Sequence, residues 1–193
     1  MIGRHPLLTR LLPVLLVAAA LAGVAVFWAG SGSGPAFPGV GGPFRLVTQE
    51  NKPFTEAQLA GKPTLMFFGY THCPDVCPTT LFQVSEVLKA LGPDPKANAV
   101  FVTVDPERDT PKALADYLSS FDPHIVALTG DRAQLDPMLK AYRVYSKKNG
   151  AGDDYAMDHS ALVYLLDGRG RFVGSFNLER PPAEAAAQLR AMT

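Results

Sequence analysis

Apolar positions along this chain fall into short dense runs, separated by stretches in which they recur at helical spacing. Residues 64–70 are apolar almost without interruption, which predicts a central strand covered on both faces. A helix is predicted from near Cys77 through Leu81, Val84, Val87, Leu88 and Leu91, ended by Gly92 and Pro93. Residues 99–104 form a second apolar strand. A helix follows, capped by Thr110, opened by Pro111 and carrying Leu114, Tyr117 and Leu118. Residues 125–128 read as a third strand, and Asp131 with Gln134 starts another helix. Before this core, residues 44–47 alternate weakly as a first strand, 51–53 read as a turn, and Thr55 with Gln58 has capping-box spacing.

Residues 146–154 have no apolar period and read as a polar loop. Residues 160–166 and 171–176 flank Asp167 and Gly170 as a hairpin, and Pro181 and Pro182 precede a last helix with Ala185, Ala186 and Leu189. Strands alternating with helices predict parallel crossovers on a central sheet. The order βαβαβ, then hairpin and helix, predicts an α/β domain with a mixed sheet flanked by helices and is compatible with a thioredoxin-like fold.

The N-terminal pattern is of another kind. Arg4 and Arg10 mark a short basic segment, residues 1–10, and residues 11–29 contain no charge for 19 positions. As a helix this is about 28 Å, close to a bilayer's hydrocarbon thickness. The expectation is a transmembrane anchor, with a cleaved signal peptide as the competing reading. Arginines held in the cytoplasm place the rest of the chain across the membrane. Residues 30–42, rich in Gly, Ser and Pro, read as a flexible tether, and residues 43–193 as the folded domain.

Composition narrows the function classes. Lys+Arg and Asp+Glu both number 18, which argues against a broad electrostatic grip on nucleic acid. Gly168 and Gly170 sit in a hairpin turn, away from any strand-to-helix phosphate cradle.

Two cysteines carry the chemistry. Cys73 and Cys77 lie in GYTHCPDVCP, residues 69–78, directly after the central strand. One turn of helix brings such a pair together, so they can share a soft metal ion or close a disulfide. Their place near a helix start favours thiolate over thiol, which serves both chemistries. Two thiolates are too few for an isolated structural zinc site, so a further ligand must come from elsewhere. Of the four histidines, His5 precedes the apolar span, His72 adjoins Cys73, and His124 lies in an ordinary turn. His159, at the entrance to the 160–166 strand, is either a third ligand or a loop hydrogen-bonder. Two sulfurs and one imidazole suit Cu(I) and also hold Cu(II), with Zn(II) chemically open. Asp75 between the thiols and Asp158 beside His159 are candidates for tuning or orienting the ligands, and Met157 is a core residue or an extra thioether. The carboxylates of residues 105–109 are either helix-start capping groups or contacts for a metal or partner.

These segments are similar to those of the Sco/SenC family of membrane-tethered copper proteins. The similarity rests on GGPF (41–44), FGYTHCPDVCP (68–78), VDPERDTP (104–111) and DHS (158–160), with weaker support from LTG (128–130) and YRVY (142–145). It spans about residues 40–178. The resemblance implies copper bound by Cys73, Cys77 and His159 in a thioredoxin-like domain. It further implies help in assembling the binuclear copper centre of cytochrome c oxidase, by copper transfer, by reducing the receiving cysteines, or both. Expected partners are the copper-bearing oxidase subunit and a periplasmic copper donor. The short N-terminal region resembles a bacterial member, anchored once in the inner membrane with its domain in the periplasm. The rival reading is a periplasmic thiol-disulfide oxidoreductase, with Cys73 and Cys77 as its redox-active pair and no obligatory copper transfer.

Overall fold

The computed structural model describes residues 39–152 and 154–193. The expected anchor at 11–29 lies outside them, as does most of the expected tether. Among the described residues no helix is long and apolar enough to cross a membrane.

The strands are β1 (Arg45–Thr48), β2 (Pro53–Thr55), β3 (Thr64–Gly69), β4 (Asn98–Thr103), β5 (Ile125–Thr129), β6 (Ser146–Asn149), β7 (Ala156–His159), β8 (Val163–Leu166) and β9 (Phe172–Ser175). The helices are α1 (Val76–Leu91), α2 (Pro111–Leu118), α3 (Arg132–Ala141) and α4 (Pro182–Arg190), with a 3-10 turn at Glu56–Leu59. Seven strands form one sheet in the order β2-β1-β5-β4-β3-β8-β9. β3, β4 and β5 run parallel, while β1 pairs antiparallel with β5 and β8 with β3. This is the expected mixed, thioredoxin-like sheet.

The alternation inside β3 explains its unbroken apolar run. Leu65 and Phe67 join α1, α2 and α4 on one face, whereas Met66 and Phe68 join α3 and Tyr142 on the other. Both faces are therefore buried, as the absence of polar alternation requires. Helix starts follow their capping residues. Thr110 accepts from the Ala113 N–H, and the boxes at Thr55/Gln58 and Asp131/Gln134 are both closed. Gly92 ends α1 with φ +100°, a backbone region that an L side chain rarely occupies.

Three segments differ from the sequence reading. The polar stretch after residue 146 is half of a separate two-stranded sheet, in which β6 pairs antiparallel with β7. Residue 53, read as part of a turn, opens β2 on the edge beside β1, where a proline costs the ladder little. Residues 39–42, assigned to the tether, are bonded to the end of α3: the Gly41 N–H donates to the Ala141 carbonyl at 2.9 Å, and Arg143 Nε to that of Gly39 at 3.0 Å.

Topology sets up the site. The loops after β3 and β4 leave the same sheet edge, since the two strands are parallel and in register to Gly69 and Thr103. β8 runs the opposite way beside β3, with Val163 opposite Phe67. The chain entering β8 therefore arrives at the edge from which the cysteine loop leaves.

Candidate metal centre

Cys77 is the second residue of α1 and fully buried, while Cys73 is half-buried in the preceding loop. Both are free thiols. Cys73 packs against the cores of both sheet faces, as a residue at the sheet's edge must. Across from them, His159 ends β7. The three ligand atoms of Cys73, Cys77 and His159 lie within 4.8 Å of one another, the one such metal-capable group among the described residues.

The imidazole is held in a defined tautomer. Nδ1 lies 3.0 Å from the Ser160 carbonyl oxygen, which only accepts, so Nδ1 carries the proton. Nε2 then presents its lone pair to the sulfurs, and the Cys77 thiol donates to it across 3.7 Å. The ring edge-packs against Tyr70 at 5.7 Å and Phe67 at 6.3 Å. The orienting acceptor sought in Asp158 is thus the neighbouring carbonyl. Asp158 itself is exposed, since alternate residues of a strand face opposite ways.

Asp75 is exposed at the N-cap of α1 and makes no side-chain capping bond. Met157 is buried in the core, the structural role of the two open to it. His72 is exposed and bonded to the Thr71 hydroxyl at 3.0 Å, and His124 pairs with Asp122 at 2.7 Å, well removed in the fold. The thiol reading needs one correction: burial pushes the Cys77 thiol up, outweighing its place at a helix start. The proton stays on sulfur until a metal or partner displaces it.

A sequence profile described as SCO1/SenC matches residues 34–193. The chain belongs to the SCO1/SenC family. A SCO2-like protein of Rickettsia conorii is 38% identical over 155 residues, covering 78% of this chain and 76% of that protein. The human mitochondrial SCO1 homolog is 38% identical over 157 residues, 79% of this chain and 52% of that protein. Bradyrhizobium japonicum ScoI, solved with copper bound, is 58% identical with a TM-score of 0.78, covering 80% of this chain and 99% of that one. Yeast Sco1 with copper bound is 35% identical with a TM-score of 0.71, covering 79% and 87%.

Within this SCO1/SenC domain, the 105–109 segment does more than cap a helix. Asp105 and Asp109 are both fully buried. Asp109 accepts from the Thr71 hydroxyl at 2.6 Å, the Thr71 N–H at 3.1 Å and the Thr103 hydroxyl at 2.6 Å. Burial raises its carboxyl above the ordinary value, while these bonds pull the other way. Asp105 accepts from the Tyr155 hydroxyl at 2.7 Å and from Arg108 Nε at 2.5 Å. The sequence shows acids after a strand but not their burial, so nothing in it ties Thr71 and Tyr155 to them.

Proposed function

We propose that this chain is a copper chaperone that carries copper on Cys73, Cys77 and His159 and delivers it to the copper-bearing subunit of cytochrome c oxidase. The observation that carries the reading is the convergence of two sulfurs and an imidazole Nε2 within 4.8 Å at a sheet edge. Thiolates select Cu(I), and the added imidazole suits Cu(II), so this donor set fits the metal in both states. Family relatives of 58% and 35% identity, solved with copper bound, support the same assignment.

Copper here is cargo. Its arrival displaces the thiol protons, since only thiolate ligates. Cys73 is partly exposed, so an incoming thiolate of the acceptor reaches the ion from the Cys73 side and replaces one ligand at a time. Val76, next to Cys77, and Leu162, three residues after His159, are exposed by 44% and 58% and offer the acceptor an apolar contact.

The two free thiols also support a second role at the same site. Cys73 and Cys77 can pass two electrons and two protons to a disulfide of the acceptor, leaving their own disulfide behind. Oxidised in this way, the pair no longer holds copper.

We further infer the domain order 1–10, 11–29, 30–42 and 43–193, with residues 11–29 as a single anchor in a bacterial inner membrane. Nineteen uncharged residues after Arg4 and Arg10 support it. Resistance of the membrane-bound chain to alkaline extraction, with residues 43–193 open to protease from the periplasm, is the expected result.

The copper reading is tested by loading the reduced chain with Cu(I). One ion per chain is expected for the parent, with binding abolished in C73A and C77A and weakened in H159A. Near-parental retention by all three variants would sink the assignment.

A further inference from the structure

We propose that residues 105–109 are a two-armed brace that sets the copper site's two limbs separately: Asp109 positions the cysteine loop, and Asp105, through Tyr155, positions the histidine strand. The inference rests on the copper reading above and names positioning residues for it.

Two carboxylates buried within five residues are costly unless each is fully bonded. Here each spends its bonds on a different limb. The donors to Asp109 are Thr71, two residues before Cys73, and Thr103, at the end of β4. Its backbone carbonyl also accepts from the Thr129 hydroxyl of β5 at 2.8 Å, which fixes the loop to the sheet. Asp109 thereby ties the cysteine loop to the sheet's rigid middle.

Asp105 reaches the other way. Tyr155, whose hydroxyl it accepts, lies four residues before His159, and the Arg108 guanidinium held by Asp105 stacks over the Tyr155 ring at 3.6 Å. Lys148 of β6 covers the same ring at 3.7 Å. β7 belongs to a separate two-stranded sheet, so no ladder of the main sheet places His159. Its anchors are the β6 ladder, in which Ser146 pairs with His159, the Ser160 N–H donated to the Tyr145 carbonyl at 3.0 Å, the Tyr155 contact, the buried Met157 and the Ser160 carbonyl. Where the limbs meet, the Tyr70 ring packs edge-on to that of His159 at 5.7 Å.

The two arms have different readouts, because Cu(I) leans on the thiolates and Cu(II) draws more on the imidazole. Tyr155→Phe keeps the ring and its stacking and removes only the hydroxyl bonded to Asp105. Thr71→Val removes the hydroxyl bonded to Asp109. The measurements are Cu(II) affinity, the thiolate-to-Cu(II) charge-transfer band, Cu(I) affinity and apo unfolding temperature, all on the full chain in detergent.

For Y155F the expectation is about tenfold weaker Cu(II) binding and a displaced band, with Cu(I) affinity within about threefold of the parent. For T71V, both oxidation states weaken about tenfold. A folded Y155F with parental Cu(II) affinity and band overturns the inference. Equal losses in both oxidation states for both variants, in step with apo unfolding temperature, overturn it as well, since they report general loosening. A parent chain that binds neither copper ion instead overturns the copper reading, and the brace with it.

Discussion

Gly69 ends β3 directly beneath the site, and a Cβ there would stand 2.7 Å from Cys77 Sγ and 2.8 Å from Phe101 Cε2. The need is for space, because the sulfur occupies the volume a side chain would fill. In a close-packed interior such an intrusion moves the sulfur or the ring and costs about 1–3 kcal/mol. Gly69→Ala is expected to lower stability by that amount and to weaken Cu(I) binding about tenfold, read by thermal unfolding and competition with a Cu(I) chelator. Little of this was legible beforehand. The two sulfurs and the imidazole were recognisable from residue type and spacing, but a glycine inside an apolar run looks like any strand residue. The protonation of Cys77 is hidden for a related reason: sequence shows the helix start, whereas burial emerges only when β3, α1 and α2 close around the thiol.

Elements with an apolar period were readable, and those held by pairing alone were not. β3, β4, α1 and α2 follow from dense runs, helical spacing and caps, whereas β6 is built from the polar residues 146–149 and exists because β7 pairs with it. That gap mattered, because β7 is the element that ends in His159. The β8–β9 hairpin was legible from its turn, and its stability carries a pH signature. Asp167 in the connection accepts from Arg171 Nε at 2.9 Å and Nη2 at 2.6 Å, and from the N–H groups of Arg169 and Arg171. Partial burial works to raise its pKa, but these donors outweigh it and hold the carboxyl below the ordinary Asp value. A depressed carboxyl contributes stability that is present above its unfolded value and lost as pH falls through the folded one. Asp167→Ala is therefore expected to cost about 1–2 kcal/mol at pH 7. The gap from the parent should close as pH falls below the ordinary Asp value and through the depressed folded one, as chemical denaturation at a series of pH values would show.

At the scale of the whole molecule, exposed apolar residues gather around the two cysteines and His159. Of the four large apolar side chains exposed among the described residues, Val76 adjoins Cys77 and Leu162 follows His159 in the link to β8. A third, Tyr145, donates its N–H to the Ser160 hydroxyl at 3.1 Å. An acceptor that takes copper here would cover this rim. The double variant V76D/L162D is expected to slow transfer to an oxidase copper domain at least about tenfold, at Cu(I) affinity within a few-fold of the parent. Stopped-flow mixing of loaded chain and acceptor measures the first and chelator competition the second. The antiparallel placement of β8 against β3 has one more consequence. Cys77 and His159 are 82 positions apart, so the centre is completed only after nearly the whole domain has been synthesised and the final hairpin has docked. A chain still being synthesised presents bare thiols without their imidazole. Once folded, an ion on all three ligands fastens the central strand's loop to the last part of the sheet to form, and stabilises the native state by mass action. Handing the ion over removes that clasp, so the protein that has delivered its load unfolds more readily than the one still carrying it.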